Sequence, residues 1–451
     1  MMKRLFGTDG IRELADPFFT DQELQKICLS IATYLNERNA SKVVIGLDTR
    51  ESGNRIVAKV AGCFRSLGYH VIQLGVIPTP AVAFLTKHYE ADMGIMISAS
   101  HNSFEYNGIK LFDRDGYKIS DEAQQEIELI YRQGSDPNRQ EEVTGGIIDD
   151  KAEEGQSYYV KYLKLSEEYN FNGLKIIMDC ANGAAYKLAP KLFNELGAEV
   201  IAINAEPNGK NINHGGSLDV SKLQSEVLKH GAAVGVAFDG DADRLIAVDE
   251  MGQEIDGNQL LYLFAVRYVV ENKECSSIVS TEMCNLGLVK SLKKLGVKVI
   301  QTSVGDRNVM FEILKTNSVL GGEPSGHIMF KNYSCTSDGM LAALKLVSTS
   351  QISCVPMSEL KNEMIIYPQV INNIPYLGEW QFSSELTLLK EKIKSKLGDD
   401  GKIIIRKSGS EPVIRVMIES ADIDLISEYM QQIQELIHCE KQYSVTINEN
   451  R

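Results

Sequence analysis

The sequence predicts an α/β fold of three related domains with mixed or parallel sheets, followed by a smaller C-terminal α+β domain, all around one central cleft. Two observations lead to this architecture. The chain has 451 residues, more than a single hydrophobic core usually serves, and one short phrase occurs three times along it. The composition, 43% apolar and 24% charged, is that of ordinary globular proteins.

The repeated phrase starts with Leu-Gly and runs into a β-branched stretch, with copies at Leu67, Leu196 and Leu295. Glycine directly before a strand is typical of a helix C-terminus, where the residue adopts a left-handed conformation. Each copy therefore predicts the end of a helix and the second strand of a strand–helix–strand unit. One copy could occur by chance, whereas three in matching contexts indicate a repeat.

Each unit also contains two more apolar, β-branched runs that predict strands. The first strands are predicted at 43–48, 175–183 and 277–283, and the third strands at 93–98, 234–239 and 318–322. Apolar strands that alternate with helices indicate sheets covered on both faces.

Domain boundaries are predicted where this pattern is interrupted. A polar, acidic segment begins at Ser135, and the pattern changes beyond about Asn362, where two strands around a Gly-Ser-Pro loop and a helix from about Asp424 are expected. The predicted domains are 1–147, 148–252, 253–362 and 363–451.

Charge and hydropathy exclude several classes of partner. The formal charge is −14, from 47 basic and 61 acidic residues, which disfavours nucleic acid and anionic membranes as partners. The most apolar window, Leu260 to Val270, is too short to cross a membrane and predicts a buried helix. Eight cysteines without zinc spacing, and an N-terminus without a signal peptide, predict a reduced, cytoplasmic protein.

The segment DGDADR places carboxylates at alternate positions, Asp239, Asp241 and Asp243. Such a loop can direct three oxygens at one hard cation, and Mg²⁺ is the natural choice. An EF-hand is disfavoured because Arg244 stands where that loop needs glycine. An aspartyl-nucleophile phosphatase is disfavoured by the third aspartate, and a solvated acidic turn by the flanking apolar strands.

The segment SASHNS offers a hydroxyl nucleophile, Ser100, beside His101, at what we expect to be a strand-to-helix turn. A helix cap is the simpler interpretation of these residues taken alone, because Ser and Asn are preferred N-caps. A phosphorylated Ser100, however, could supply a fourth oxygen to the cation of the aspartates.

The segment GEPSGH combines a carboxylate, a hydroxyl and an imidazole at Glu323, Ser325 and His327. Such groups bind sugar hydroxyls, although an ordinary turn with a surface histidine is an equally good interpretation of the segment alone.

The segment RKSGSEPVIR near the C-terminus gathers guanidinium, hydroxyl and glycine N–H groups that suit a phosphate, with a plain β-hairpin as the alternative. The residues concerned are Arg406, Ser408, Gly409, Ser410 and Arg415.

Together these segments resemble the α-D-phosphohexomutase superfamily, from FGTDGIR at Phe6 through SVGDR at Ser303 to SGSEP at Ser408. Within it the chain is most similar to the bacterial phosphoglucosamine mutase branch, in MDCANGAAYKLAP, AEPNGKNIN and FDGDADRLIAVDE. The resemblance implies an isomerase that interconverts glucosamine 6-phosphate and glucosamine 1-phosphate for UDP-N-acetylglucosamine and cell-wall precursor synthesis.

The resemblance also implies a role for each segment. A phosphorylated Ser100 on Mg²⁺ would exchange its phosphoryl group with the sugar through a hexose bisphosphate, which also serves as activator. Groups implied to assist catalysis are Arg12, His101, Lys110, Arg244 and His327, with Lys110 and His327 as alternative bases. Sugar ligands would be Thr302, Gly305, Glu323 and Ser325, while the RKSGSEPVIR residues would bind the phosphate that is not reacting.

Two alternative functions stay open. Pro324 and the short segment at His214 to Ser217 depart from the branch's pattern, so a phosphomannomutase/phosphoglucomutase is one alternative. A catalytically silent sugar-phosphate sensor is the other. The sequence leaves the oligomeric state open, with a homodimer as one arrangement.

Overall fold

The computed structural model describes residues 4–38, 40–134, 145–166, 170–271, 273–376, 382–407 and 413–449, with side chains up to His438. Most of the segment predicted as the first domain boundary, 135–144, lies outside the described residues, as do Ser408, Gly409 and Ser410. The chain forms two compact units, one of Met1–Met283 and Leu295–Glu363 and the other of Cys284–Lys294 and Met364–Arg451.

The larger unit begins with a six-stranded sheet in the order β1-β5-β4-β2-β3-β6. Its strands are β1 (Ile11–Leu14), β2 (Lys42–Leu47), β3 (His70–Val76), β4 (Met93–Ile97), β5 (Tyr106–Asp113) and β6 (Ile147–Asp150). The accompanying helices are α1 (Ala15–Phe18), α2 (Asp21–Asn36), α3 (Gly53–Ser66), α4 (Thr79–His88) and α5 (Asp121–Gln133). Strand β2 runs parallel to β3 and β4, whereas β5 runs antiparallel to β4.

The second sheet has the order β11-β10-β9-β7-β8. Its elements are α6 (Ala152–Leu165), β7 (Lys175–Asp179), α7 (Leu188–Glu195), β8 (Glu199–Ile203), α8 (Ser221–His230), β9 (Val234–Phe238), β10 (Leu245–Asp249) and β11 (Glu254–Ile255). Strand β7 is parallel to β8 and β9, and β10 is antiparallel to β9.

The third sheet has the order β13-β12-β14-β15. Its elements in the larger unit are α9 (Gly257–Val270), β12 (Ser277–Thr281), β13 (Lys298–Thr302), α11 (Asp306–Thr316), β14 (Leu320–Gly322), β15 (Ile328–Phe330), α12 (Gly339–Ser353) and α13 (Met357–Asn362), while α10 (Leu286–Lys294) belongs to the smaller unit. Strand β12 is parallel to β13 and β14, and β15 is antiparallel to β14.

The three sheets share one strand arrangement, which confirms the predicted repeat. In each, the second strand, first strand, third strand and an added antiparallel strand lie side by side. The antiparallel strands in the first and third units, β5 and β15, were not predicted. The expectation that Ser100 lies at a strand-to-helix turn was wrong, because its loop joins β4 to β5, with Lys110 paired opposite Met96.

The Leu-Gly phrase ends a helix as predicted in the first two units. Gly68 and Gly197 directly follow the C-caps of α3 and α7 and have φ values of 88° and 94°. Gly296, in the third copy, has a φ of 77°. Glycine populates this left-handed region at little cost, whereas other residues are strained in it.

The apolar window at Leu260 lies in α9, whose residues Leu260 to Ala265 are buried as predicted. Asp256 caps this helix and forms a capping box with Gln259, which satisfies two backbone N–H groups at the first turn. No helix in the described part of the chain has both the length and the apolar character needed to span a membrane.

The smaller unit contains an antiparallel sheet, β16-β18-β17, and its own core around Ile414, Val416 and Ile433. Its elements are α10, β16 (Gln369–Pro375), α14 (Ser384–Leu397), β17 (Gly401–Lys407), β18 (Val413–Ser420) and α15 (Ile423–Glu449). The two predicted strands and the final helix are confirmed, whereas β16 and α14 were not predicted.

Helix α10 comes from between β12 and β13 in sequence but is bonded within the smaller unit. Asn285 Nδ2 donates to the Tyr367 carbonyl oxygen (2.9 Å), and the Leu286 N–H donates to Glu419 Oε1 (2.6 Å). The smaller unit is therefore built from two separate stretches of chain.

Alanine substitutions at two of the repeat glycines should differ in their effect on stability. A methyl group on Gly296 would meet no atom within 4 Å, so Gly296→Ala costs only the strain of positive φ, about 1 kcal/mol. On Gly197 it would also overlap the Asn172 side chain, 1.9 Å from Oδ1. We expect Gly197→Ala to lower the thermal unfolding midpoint more than Gly296→Ala, and equal midpoints would contradict this account.

Candidate active site

Three loops of the larger unit meet at one place, each joining the third strand of a repeat to the antiparallel strand that follows. Ser100, in the first loop, donates a hydrogen bond from Oγ to Asp239 Oδ2 of the second loop (2.7 Å). The second and third loops are joined by a β-bridge between Arg244 and His327 and by the Leu245 N–H bond to the Gly326 carbonyl oxygen (3.0 Å). The structure therefore brings the three predicted segments together.

The three aspartates of the second loop are fully buried and offer oxygens within 4.8 Å of one another. Burial, together with the charges of Asp243 and Asp241, raises the pKa of Asp239 to about 7. Among the described residues, Asp241 Oδ1 is buried without a hydrogen-bond donor, and His327 Nε2 lies 3.2 Å from Asp243 Oδ1. Clustered carboxylate oxygens with unused lone pairs are the donor set that Mg²⁺ prefers, so these residues fit a magnesium ion.

Lys110 supplies a buried positive charge to this cluster. Its Nζ lies 2.8 Å from Asp241 Oδ2, 3.0 Å from Asp243 Oδ2 and 2.9 Å from Asp9 Oδ2. Burial lowers the pKa of Lys110, but the three carboxylates raise it well above its usual range. The ammonium group is therefore held charged among the aspartates.

Arg12 and Arg244 bring two guanidinium groups to the same loops. Arg12, on β1, pairs with Asp9 and donates to Asn102 Oδ1 (3.3 Å). Arg244 NH2 lies 2.9 Å from His101 Nδ1. Burial and the charges of Arg244 and Arg12 lower the pKa of His101 to about 3, so its imidazole is neutral and Nδ1 accepts this hydrogen bond.

The third loop presents a carboxylate–imidazole pair. His327 Nδ1 lies 2.7 Å from Glu323 Oε2 and His327 Nε2 lies 3.2 Å from Asp243 Oδ1. Burial and the Arg244 charge lower the pKa of His327, but Asp243 and Glu323 outweigh them and raise it to about 10. The third loop is thereby tied directly to the aspartate loop.

The other predicted sugar ligands differ in how close they lie to this pair. Ser325 Oγ is 3.4 Å from His327 Nδ1, and the Gly305 N–H donates to Glu323 Oε1 (2.9 Å). Thr302 ends β13, and its carbonyl oxygen accepts a hydrogen bond from the Glu282 N–H (2.8 Å). Among the described contacts of Glu323 and His327, none involves Thr302.

Three charged residues of the site were missed in the sequence. Lys118 Nζ pairs with both Asp9 and Asp306, and Asp306 follows Gly305 at the start of α11. The segments FGTDGIR and SVGDR contain Asp9 and Asp306 and could have indicated them, whereas no pattern singled out Lys118. These ion pairs connect Lys110, which contacts the aspartate loop, through Asp9 and Lys118 to Asp306 at the start of α11.

The predicted phosphate-binding residues belong to the smaller unit and are only partly described. Arg406 on β17 lies directly opposite Arg415 on β18, so two guanidinium groups belong to one pair of strands. Ser408, Gly409 and Ser410 are outside the described residues.

Comparison with known proteins identifies the family. The chain matches models of phosphoglucomutase/phosphomannomutase for alpha/beta/alpha domains I, II and III and the C-terminal domain, over residues 3–138, 157–252, 256–367 and 369–436. The phosphoglucosamine mutase of Thermoanaerobacter sp. (strain X514) is 43% identical, covering 97% of this chain and 99% of that protein.

Two solved structures share the fold. The phosphoglucomutase/phosphomannomutase family protein of Burkholderia thailandensis has a TM-score of 0.80 at 22% identity, covering 96% of this chain and 97% of that chain. Aspergillus fumigatus N-acetylphosphoglucosamine mutase, in complex with GlcNAc-6P and magnesium, has a TM-score of 0.66 at 15% identity, covering 97% and 96%. The chain therefore belongs to the phosphoglucomutase/phosphomannomutase family of α-D-phosphohexomutases.

Proposed function

We propose that this chain interconverts glucosamine 6-phosphate and glucosamine 1-phosphate through a phosphorylated Ser100 and a bisphosphorylated sugar. The observation that carries the proposal is the 2.7 Å hydrogen bond from Ser100 Oγ to Asp239, at a cluster of three buried carboxylates. The choice of glucosamine is supported by the 43% identity to a phosphoglucosamine mutase over nearly the full length of both proteins. Its product would feed UDP-N-acetylglucosamine and cell-wall precursor synthesis.

The reaction consists of two opposite phosphoryl transfers. In the first, the bond between phosphorus and Ser100 Oγ breaks, a bond from phosphorus to the free sugar hydroxyl forms, and the hydroxyl proton ends on Ser100 Oγ. The bisphosphate then presents its other phosphate, and the reverse transfer restores the phosphoserine. Such transfers depend mainly on positioning and on neutralising charge.

The charges needed for this chemistry surround Ser100. Asp239, Asp241 and Asp243, with an oxygen of the phosphorylated serine, would hold Mg²⁺, which when bound supplies positive charge to the transferring group. Arg12, Lys110 and Arg244 would add fixed cations, and His101 would orient Arg244 through their 2.9 Å contact.

Further residues are proposed to bind the rest of the substrate. Glu323, Ser325, Gly305 and Thr302 are the proposed sugar ligands. His327 and Lys110 are the alternative bases for the sugar hydroxyl, and because their carboxylate partners hold both protonated, either one would have to give up its own proton before it accepts that of the sugar. The proposed ligands of the non-reacting phosphate are Arg406, Ser408, Gly409, Ser410 and Arg415.

Three further proposals concern the setting of the protein. We propose a cytoplasmic location, supported by the free thiols of the described cysteines, Cys28 and Cys180 among them. A hexose bisphosphate is the proposed activator that first phosphorylates Ser100. A homodimer stays a prediction that analytical ultracentrifugation would test.

Replacing the nucleophile should stop turnover but leave the binding site. We expect Ser100→Ala to lose all measurable mutase activity, to bind glucosamine 6-phosphate as the native protein does, and to lack the added mass of a phosphoryl group. Ser103→Ala, on the exposed part of the same loop, is the matched control and should keep its activity. If Ser100→Ala is fully active, the phosphoserine mechanism is wrong. Such activity would also exclude a non-catalytic sensor.

Removing one metal ligand should raise the Mg²⁺ requirement. We expect Asp241→Asn to lower kcat on the order of 100-fold. A weakly held Mg²⁺ would stabilise the charge of the transition state less, and a loss of a few kcal/mol corresponds to that factor. The Mg²⁺ concentration for half-maximal rate should rise as well. Asp219→Asn, at an exposed aspartate just before α8, is the control, and equal Mg²⁺ dependence in the two variants would refute the metal assignment.

Substrate selectivity separates this function from its nearest alternative. We expect kcat/KM for glucosamine 6-phosphate to exceed the values for glucose and mannose 6-phosphates by about tenfold or more, since polar contacts to one substituent can discriminate at this level. The same preparation should be assayed with all three sugars. Faster turnover of either neutral sugar would instead identify a phosphomannomutase/phosphoglucomutase.

A further inference from the structure

Arg50 lies behind the Ser100 loop, and the mechanism above gives it no role. It follows β2 and is 2% exposed. Its Nε donates to Asp48 Oδ2 (2.9 Å), NH1 to the carbonyl oxygens of Ser103 and Tyr106, and NH2 to those of Ser100 and Asn102 (both 2.8 Å). A guanidinium group has five N–H donors, so these contacts use its full donor capacity.

Asp48 connects the same guanidinium to the backbone of the nucleophile. Asp48 Oδ2 accepts a hydrogen bond from Ser98 Oγ (2.7 Å), and Ser98 Oγ accepts one from the Ser100 N–H (2.9 Å). The Ser100 peptide groups are thus held on both sides, by Arg50 at the carbonyl and by Asp48 through Ser98 at the N–H.

Asn213 approaches this loop from the second α/β sheet region. Its Nδ2 donates to the carbonyl oxygens of Ser100 (2.8 Å) and Asn102 (2.9 Å), the same two atoms that Arg50 NH2 contacts. The segment around it also meets the loop that carries Arg50, because the Glu51 N–H donates to the Gly209 carbonyl oxygen (2.9 Å). Arg50 and Asn213, which come from separate parts of the larger unit, therefore donate to the same two carbonyl groups, those of Ser100 and Asn102.

The loop needs this support because of its backbone conformation. Ser100 has a φ of 50°, a left-handed value that non-glycine residues adopt only when surrounding contacts enforce it. On the other side Gly240 lies so close that a Cβ there would be 2.6 Å from the Ser100 carbonyl oxygen. The contacts with Arg50, Asn213 and Gly240 therefore fix the Ser100 backbone, which directs Oγ towards Asp239.

We propose that Arg50 and Asn213 are positioning residues for phosphoryl transfer, which hold the Ser100 backbone so that Oγ stays in register with the aspartate loop. The proposal rests on the function proposed above, since it concerns the step in which Ser100 exchanges its phosphoryl group. Neither side chain is bonded to Glu323, Ser325 or His327, so sugar binding does not depend on them directly. Misplacing a nucleophile by about 1 Å can cost on the order of 100-fold in rate.

Asn213→Asp is the informative variant. Aspartate has the shape of asparagine and is tolerated at the φ of 62° found at this position. The substitution replaces Nδ2, which donates to both carbonyl groups, with an oxygen that can only accept. Asn182→Asp is the matched control. Asn182 also has a positive φ, 49°, and its Nδ2 donates to a backbone carbonyl, that of Asn211 (3.1 Å), away from the serine loop.

The phosphorylated full-length protein with Mg²⁺ should be assayed for kcat and KM, on whichever hexose 6-phosphate the native protein turns over fastest, together with thermal unfolding. We expect Asn213→Asp to lower kcat about tenfold or more relative to Asn182→Asp, with KM within about twofold and a similar unfolding midpoint. The proposal would be overturned if the kcat of Asn213→Asp lies within twofold of that of Asn182→Asp. It would also be overturned if the fall in kcat comes with a clear fall in the unfolding midpoint relative to Asn182→Asp. An inactive native protein would refute the proposed function instead.

Arg50→Lys tests the other half of the pair. Lysine keeps the charge but has three donors in place of five and no planar fork, so we expect a larger fall in kcat than for Asn213→Asp. Arg55→Lys, on α3 and bonded to the Phe19 carbonyl oxygen (2.7 Å), is the control and should match the native protein. An Arg50→Lys variant that folds and keeps native kcat would contradict a positioning role.

Discussion

The burial of three carboxylates at one point is the constraint on which the rest of the site depends. Asp239, Asp241 and Asp243 are each 0% exposed, and removing such charges from water costs several kcal/mol per group unless cations and donors compensate. Lys110 and His327 supply part of that compensation through contacts of 2.8 to 3.2 Å. Asp241 Oδ1 is left without a donor among the described residues, and it offers an oxygen that a divalent ion would fit.

The repeat explains how one cleft acquires three different chemistries. In each α/β unit the third strand turns into an antiparallel partner, so the loop between them lies at the carboxyl end of a parallel strand, where ligands of such sheets bind. The first loop carries the proposed nucleophile, the second the proposed metal ligands and the third a carboxylate–imidazole pair. A single backbone arrangement, used three times, thus brings a serine hydroxyl, a carboxylate cluster and a carboxylate–imidazole pair together.

Sequence patterns were sufficient for the features that depend on local conformation. The Leu-Gly phrases, the apolar strands and the three polar loops were all predictable, because each reflects a turn, a period or a cluster within a few residues. Lys118 was not, since its pairing with Asp306 joins positions 188 residues apart and no local pattern marks such an ion pair. Strand β16 was missed because Asn372 and Asn373 interrupt its apolar residues, which weakens the apolar signal.

The contribution of Cys284–Lys294 to the smaller unit has a consequence for how the protein is made. The larger unit ends at Glu363, so a ribosome releases all of it before the strands that complete the smaller unit. Until then Asn285 and Leu286 lack the acceptors that Tyr367 and Glu419 later provide. Helix α10 is therefore synthesised before the residues to which it is bonded. Exchanging the smaller unit between relatives would accordingly require three crossovers in the gene, two around residues 284–294 and one near position 363, because a single junction near position 363 would leave that helix behind.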